Sequence, residues 1–197
     1  MVKLNNNFYE NISLIENPDD LLVLVNKNHK LYEDFIPNNL EMINLNYAVG
    51  KKFLRSDAKA SFEKLCEDAK KIGYDIKAES TYRDYDYQEK LYSNYVKEYG
   101  KDYADKCSAR PGHSEHQTGL AVDVRGSVSD YNDFEKTKEF IWMRDNAYQY
   151  GFILRYPQDK EHITGFKYEP WHYRYIGEYA KDVYQKKLTL EEYLKTR

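Results

Sequence analysis

A carboxylate inside an apolar run is the feature that most limits how this chain can fold. Leu120, Ala121, Val122 and Val124 surround Asp123, and a run of that character reads as a short buried strand. An ionised carboxylate in such a place is costly unless it is paired or bound to a metal. The fold therefore has to bring a cationic partner to this strand. Immediately upstream lies a polar segment, Arg110-Pro111-Gly112-His113-Ser114-Glu115-His116-Gln117-Thr118-Gly119. Its Pro and Gly mark Ala109 to Thr118 as a loop, and Gly119 permits a tight bend into the strand. A second polar cluster, Tyr168-Glu169-Pro170-Trp171-His172-Tyr173, follows far down the chain.

Three of the five histidines sit in these two clusters. Two imidazoles (His116 and His172), one carboxylate (Asp123) and one open position make a standard catalytic zinc site. Glu169, just upstream of His172, is then placed to accept a proton from water. A His113/His116 pair on a loop serves equally well as a hydrogen-bonding feature, so the spacing by itself leaves the metal reading open. His113 is expected to support the site or face solvent, because a catalytic zinc keeps its fourth position free. His29 and His162 read as surface residues.

Around these clusters the sequence has the organisation of one unit, with residues 1–50 as an irregular arm packed on a core formed by 51–197. Asn17-Pro18-Asp19-Asp20 and Ile36-Pro37-Asn38-Asn39 read as turns, with Leu21 to Val25 as a short buried strand between them. A helix is expected from Ser56 to Lys71, capped by Ser56 or Asp57 and stopped at Gly73. Tyr74 to Thr81 reads as a strand and Tyr87 to Tyr99 as a second helix ending at Gly100. Phe134 to Tyr150 reads as a third helix, followed by strands at Phe152–Tyr156 and Tyr173–Ile176. The tail is helical over Glu178–Tyr184 and Thr189–Leu194, with Thr189 and Glu192 spaced as a capping box. Strands and helices mix without a βαβ rhythm, which points to α+β: a small antiparallel sheet flanked by helices.

Several classes are disfavoured. The net charge of −3 comes from 30 basic and 33 acidic side chains in mixed order, so there is no basic stripe for nucleic acid. No apolar stretch is long enough to span a bilayer. The start, Met1-Val2-Lys3-Leu4 and then Asn5 to Asn7, has no apolar leader core. The expected location is cytoplasmic as the chain stands, or the cell surface if a leader preceded it. Cys66 and Cys107 are in no CxxC pair and read as two free thiols rather than a disulfide framework. The 21 tyrosines suit core edges, ring buried and hydroxyl wet, or a polar cleft for a peptide or sugar. Zincin HExxH, GxSxG and P-loop patterns are all absent.

Ser114-x-His116-x₂-Gly119-x₃-Asp123, followed by Glu169-x-Trp171-His172, resembles the signature of the LAS metallopeptidases, a group joining lysostaphin-type enzymes, D-alanyl-D-alanine peptidases and the hedgehog fold. The likeness is closer to the VanY-type D,D-carboxypeptidases and the bifunctional VanXY enzymes. Tyr82-Arg83 with Gln88, Arg110 to Val124, and Tyr150 to Gly177 carry it, within an overall span of about residues 24 to 180. The resemblance implies one zinc ion held by His116, Asp123 and His172, with Glu169 as general base. It implies Arg83 on the oxyanion or scissile carbonyl, a task that suits a permanent cation with a forked donor set. Pairing with Asp84 or Asp86 is the plainer role for that arginine. Ser114 and Gln88 match residues that hold the substrate's terminal carboxylate, and Tyr156 and Trp171 match residues of the cleft wall. For Gln88 an ordinary place on the helix surface is the alternative.

The implied reaction is hydrolysis of the D-Ala-D-Ala bond in a peptidoglycan stem peptide or precursor. L,D-cleavage of tetrapeptides, D,D-dipeptidase or endolysin activity, and a non-catalytic zinc-fold binding module share the same metal motif. The sequence does not set the oligomeric state.

Overall fold

The computed structural model describes residues 8–197; the Met1–Asn7 start lies outside them. Elements follow the chain as β1 (Ser13–Leu14), β2 (His29–Lys30), β3 (Leu40–Met42), β4 (Phe53–Arg55), α1 (Ser56–Lys71), β5 (Lys77–Ser80), α2 (Tyr85–Tyr99) and α3 (Lys101–Cys107). They continue as β6 (Ala121–Arg125), α4 (Lys138–Asn146), β7 (Phe152–Leu154), α5 (Glu161–Thr164), β8 (His172–Tyr175), α6 (Ala180–Lys186) and α7 (Leu190–Leu194). The main sheet has the order β5-β6-β8-β7, with every neighbouring pair antiparallel. This is the α+β architecture expected from the sequence.

Alternation along β6 and β8 gives the sheet two faces of different chemistry. Val122, Val124 and Tyr173 enter the main core with Phe62, Leu65 and Cys66 of α1 and Phe140 and Met143 of α4. Asp123, His172 and Arg174 belong to the opposite face. Register pins this division: Asp123 stands opposite His172, and Ala121 opposite Arg174. A slip of one residue would send the charged set into the apolar core. Gly119 makes the turn into β6 at φ +68°, where an added Cβ would come 2.8 Å from Leu40 Cδ2.

Several expected elements differ in the structure. Leu21 to Val25 is not a strand; the carbonyls of Leu21 and Val23 accept from Arg174 Nη2, both at 3.0 Å, rather than from a neighbouring strand. The expected helix from Phe134 to Tyr150 is three pieces: 3₁₀ at Tyr131–Lys136, α4, and 3₁₀ at Ala147–Tyr150. Thr137 makes the first break, accepting from Phe140 N–H at 3.1 Å and donating to the Phe134 carbonyl at 2.7 Å. Neither Ser56 nor Asp57 caps α1. Arg55 occupies the cap position without a side-chain bond, and Asp57 accepts from Ala58 N–H and pairs with Arg55. Helix α3 and the 3₁₀ turn Glu115–Thr118 lie where no helix was expected. The Thr189/Glu192 capping box is present, and both cysteines are free. Among the described residues, no helix is long and apolar enough to cross a membrane.

Candidate metal centre and cleft

Three elements bring the metal-ligating types together. β6 supplies Asp123, β8 supplies its register partner His172, and the Glu115–Thr118 turn supplies His116. One donor atom from each lies within 4.8 Å of the others. His116 Nδ1–H donates to the Thr81 carbonyl at 2.7 Å, which fixes the tautomer and leaves Nε2 with a bare lone pair. That Nε2 is buried with no hydrogen-bond partner, although Asp123 Oδ2 lies 3.2 Å away. Burial and the charge of Arg83 push the His116 imidazole down to about 4, so it is neutral near pH 7.

His172 Nδ1 meets Asp123 Oδ1 at 2.8 Å, and Nε2 lies 3.5 Å from Glu115 Oε2, the outer edge of a hydrogen bond. Burial opposes charging this ring, but its bonds to Asp123 and Glu115 prevail and raise it to about 9. Asp123 is likewise penalised by burial, and the two histidines hold it well below the usual carboxylate range. A proton or a metal cation between Nδ1 and Oδ1 satisfies both atoms, and metal binding displaces the proton. The set of two imidazole nitrogens and one carboxylate, with a buried nitrogen lacking a partner, fits zinc.

The other expected residues share this cleft, which has a volume of about 300 Å³. Glu169 Oε2 is 3.8 Å from His172 Nδ1 with its side chain only 15% exposed; burial lifts its carboxyl to about 7. Arg83 does not pair with Asp84 or Asp86. Asp84 caps α2 through Tyr87 N–H at 2.8 Å, while Arg83 Nη2 reaches Asp123 Oδ2 at 4.0 Å and its Nε is buried without a partner. Ser114 is buried and accepts from His116 N–H at 3.3 Å. Gln88 is no surface residue: it is buried, its amide donates to the Ala109 carbonyl at 2.8 Å, and its Oε1 has no partner. Tyr156 is buried with its ring 4.8 Å from His172, and Trp171 stands edge-on to Tyr131 at 5.2 Å.

His113 is not in the metal group. It is buried, with Nδ1 2.8 Å from the Asn26 carbonyl. His29, expected at the surface, is half-buried against Asn26 Oδ1 at 2.9 Å. His162 is exposed.

Residues 51–178 match the family model described as VanY: D-alanyl-D-alanine carboxypeptidase. The chain belongs to this family. It is 41% identical over 192 residues to YodJ of Bacillus subtilis, covering 93% of this chain and 70% of that one. The solved structure of the LdcB LD-carboxypeptidase matches with a TM-score of 0.88 at 39% identity, covering 94% of this chain and 91% of that one. A vancomycin-resistance D,D-pentapeptidase VanY solved in complex with Zn(II) matches with a TM-score of 0.77 at 33% identity, covering 88% and 98%.

Sequence reasoning missed the group beneath the site. Glu115, Arg155 and Arg174 are wholly buried and Glu191 nearly so. Burial penalises the Glu115 charge, but Arg155 and Arg174 outweigh that and hold its carboxyl well below the usual range. The signal was available. Arg155 follows the apolar Phe152-Ile153-Leu154 and Arg174 lies inside a strand, the same anomaly that singled out Asp123.

Proposed function

We propose that the protein is a zinc carboxypeptidase that removes the terminal D-alanine from a peptidoglycan stem peptide or its precursor, cutting a D,D bond. The observation that carries this reading is the unpartnered Nε2 of His116, grouped with Asp123 and His172 on a cleft wall that also holds Glu169 and Arg83. His116, Asp123 and His172 hold the ion. Zinc, when bound, supplies a Lewis acid for the carbonyl and lowers the pKa of water to roughly 7. Glu169 accepts the proton from water and returns it to the leaving amine. Burial raises its carboxyl above the usual carboxylate range, which favours taking up the proton. Arg83 steadies the developing oxyanion with a fixed positive charge. Ser114 and Gln88 receive the terminal carboxylate, while Tyr156 and Trp171 form the walls.

A second reading has a specific observation behind it. The LdcB LD-carboxypeptidase structure matches with a higher TM-score than the D,D-pentapeptidase, 0.88 against 0.77. On that reading the scissile bond follows an L-residue of a tetrapeptide. One experiment tests both: release of free D-alanine from a pentapeptide and a tetrapeptide, after chelation and after zinc is restored. Zinc-restored release from the pentapeptide is expected. Release from the tetrapeptide alone transfers the function to L,D-cleavage, and release unaffected by chelation removes the zinc reading.

The ligand assignment has its own test. His116→Ala is expected to lose the ion, from about one zinc per chain in the wild type to a trace by metal analysis of dialysed protein. Full occupancy in the variant would exclude His116 as a ligand.

A further inference from the structure

Glu115, Arg155, Arg174 and Glu191 form a buried ionic group that the proposed reaction does not use, and it ends against His172. Arg155 is spread across two carboxylates. Its Nη1 and Nη2 donate to Glu191 Oε2 and Oε1 at 2.8 and 2.7 Å, and its Nε donates to Glu115 Oε1 at 2.7 Å. Arg174 Nη1 donates to the same Glu115 oxygen at 2.9 Å, with its Nη2 tied to the carbonyls of Leu21 and Val23. Glu115 Oε1 is thus held by two guanidinium groups. Oε2 is left as the atom facing His172 Nε2 at 3.5 Å.

We infer that Glu191, on the C-terminal helix α7, is a positioning residue for the metal site, acting through Arg155 and Glu115 on His172. This rests on the zinc reading above. Glu191 lies beyond the 51–178 match to the family. A carboxylate on the far nitrogen of a ligating histidine fixes its tautomer and orientation, and loss of such a partner typically weakens metal binding by about 10–100-fold. Glu115 has that place, and its own orientation depends on Arg155. Without the Glu191 carboxylate, Arg155 loses its two-pronged partner. A buried guanidinium with unsatisfied donors turns toward the remaining carboxylate, Glu115. Oε2 then turns away from His172, and the Nδ1 lone pair loses its aim beside Asp123.

A group that only stabilised the fold would leave the zinc affinity of folded protein unchanged, so affinity is the quantity to measure. Zinc dissociation constants come from chelator competition on the full chain, with folding verified by circular dichroism, for wild type, Glu191→Gln, Glu115→Gln and Val183→Ala. Val183 packs in the apolar cluster with Leu190 and Tyr193 of α7 and, having no polar side-chain atom, takes no part in the hydrogen bonds of the ionic group, so it reports lost stability alone. Glu191→Gln is expected to weaken zinc about 10-fold, and Glu115→Gln at least as much; Val183→Ala lowers the melting temperature and leaves affinity in place. Unchanged affinity in folded Glu191→Gln, or a loss no larger than in Val183→Ala, overturns the inference. Should Glu191→Gln fail to fold, Glu191→Asp gives the same reading. It keeps the charge with one methylene less reach, so weaker zinc is expected and wild-type affinity again overturns it. A wild type that binds no zinc fails the zinc reading itself, an outcome visible before any variant is made.

Discussion

Glu169→Gln is expected to lower kcat by about 10²–10⁴-fold, the usual contribution of a positioned acid–base group, while zinc content and melting temperature stay close to wild type. The carboxylate lies 3.8 Å from His172 Nδ1 and takes part in no short ion pair. Glutamine keeps its volume and removes only the proton-accepting charge. Burial already disfavours that charge, so its removal leaves no buried ion without a partner and should not unfold the protein. KM should move little, since the group acts on water rather than on ground-state binding. Steady-state kinetics of the zinc-loaded protein on a pentapeptide, with metal analysis of the same sample, decides the matter. A Glu169→Gln enzyme within a few-fold of wild type would remove Glu169 from proton transfer.

Arg155→Met is expected to produce the largest loss of stability, about 3–5 kcal/mol, the range for breaking a buried ion pair by deleting one partner. Methionine matches the length of the stem but leaves the carboxylate of Glu191 in a nearly dry site, with the weak 3.4 Å contact to Asn26 as its remaining side-chain bond. Glu115 keeps Arg174, so the damage is greatest at α7. The urea midpoint should fall with little change in the slope of the transition. Adding Glu191→Leu to Arg155→Met should recover part of the loss, because the unpaired charge is then gone. A fall of under about 1 kcal/mol, the scale of an exposed pair, would show that the group has ready access to water.

What the sequence made legible follows from which forces act locally. Asp123 stood out because a carboxylate in an apolar strand has few physical solutions, and the structure gathers His116 and His172 around it. α1 follows from the spacing of its apolar residues, without the cap expected for it, and the capping box of α7 from chemistry that neighbours in sequence decide. The region from Phe134 to Tyr150 is different. Its apolar residues recur as in one helix, but the Thr137 hydroxyl competes for backbone groups and divides it. Leu21 to Val25 looked like a strand because its residues are apolar. Their carbonyls are claimed by Arg174, separated by 151 and 153 positions along the chain. No local pattern records such a bond. Gln88 carried two readings, a carboxylate-binding residue by resemblance and an ordinary helix-surface residue by propensity, and its burial becomes visible only when α2 is laid against Ala109.

The pairing of β6 with β8 also bears on when the ion can arrive. Asp123 and His172 are 49 residues apart and meet only as cross-strand partners. His116 is aimed only after β5, which Thr81 directly follows, has joined the same sheet. Three strands distant in sequence must therefore be assembled before all three ligands are aimed at one position, so the complete cage forms only with the sheet. Thr81 and Glu115 meanwhile orient the two imidazoles through their far ring nitrogens. Metallation is therefore expected to follow assembly of the sheet, unlike small zinc domains in which the ion directs folding. The purified apo-protein should be fully structured and rechargeable by simple addition of metal.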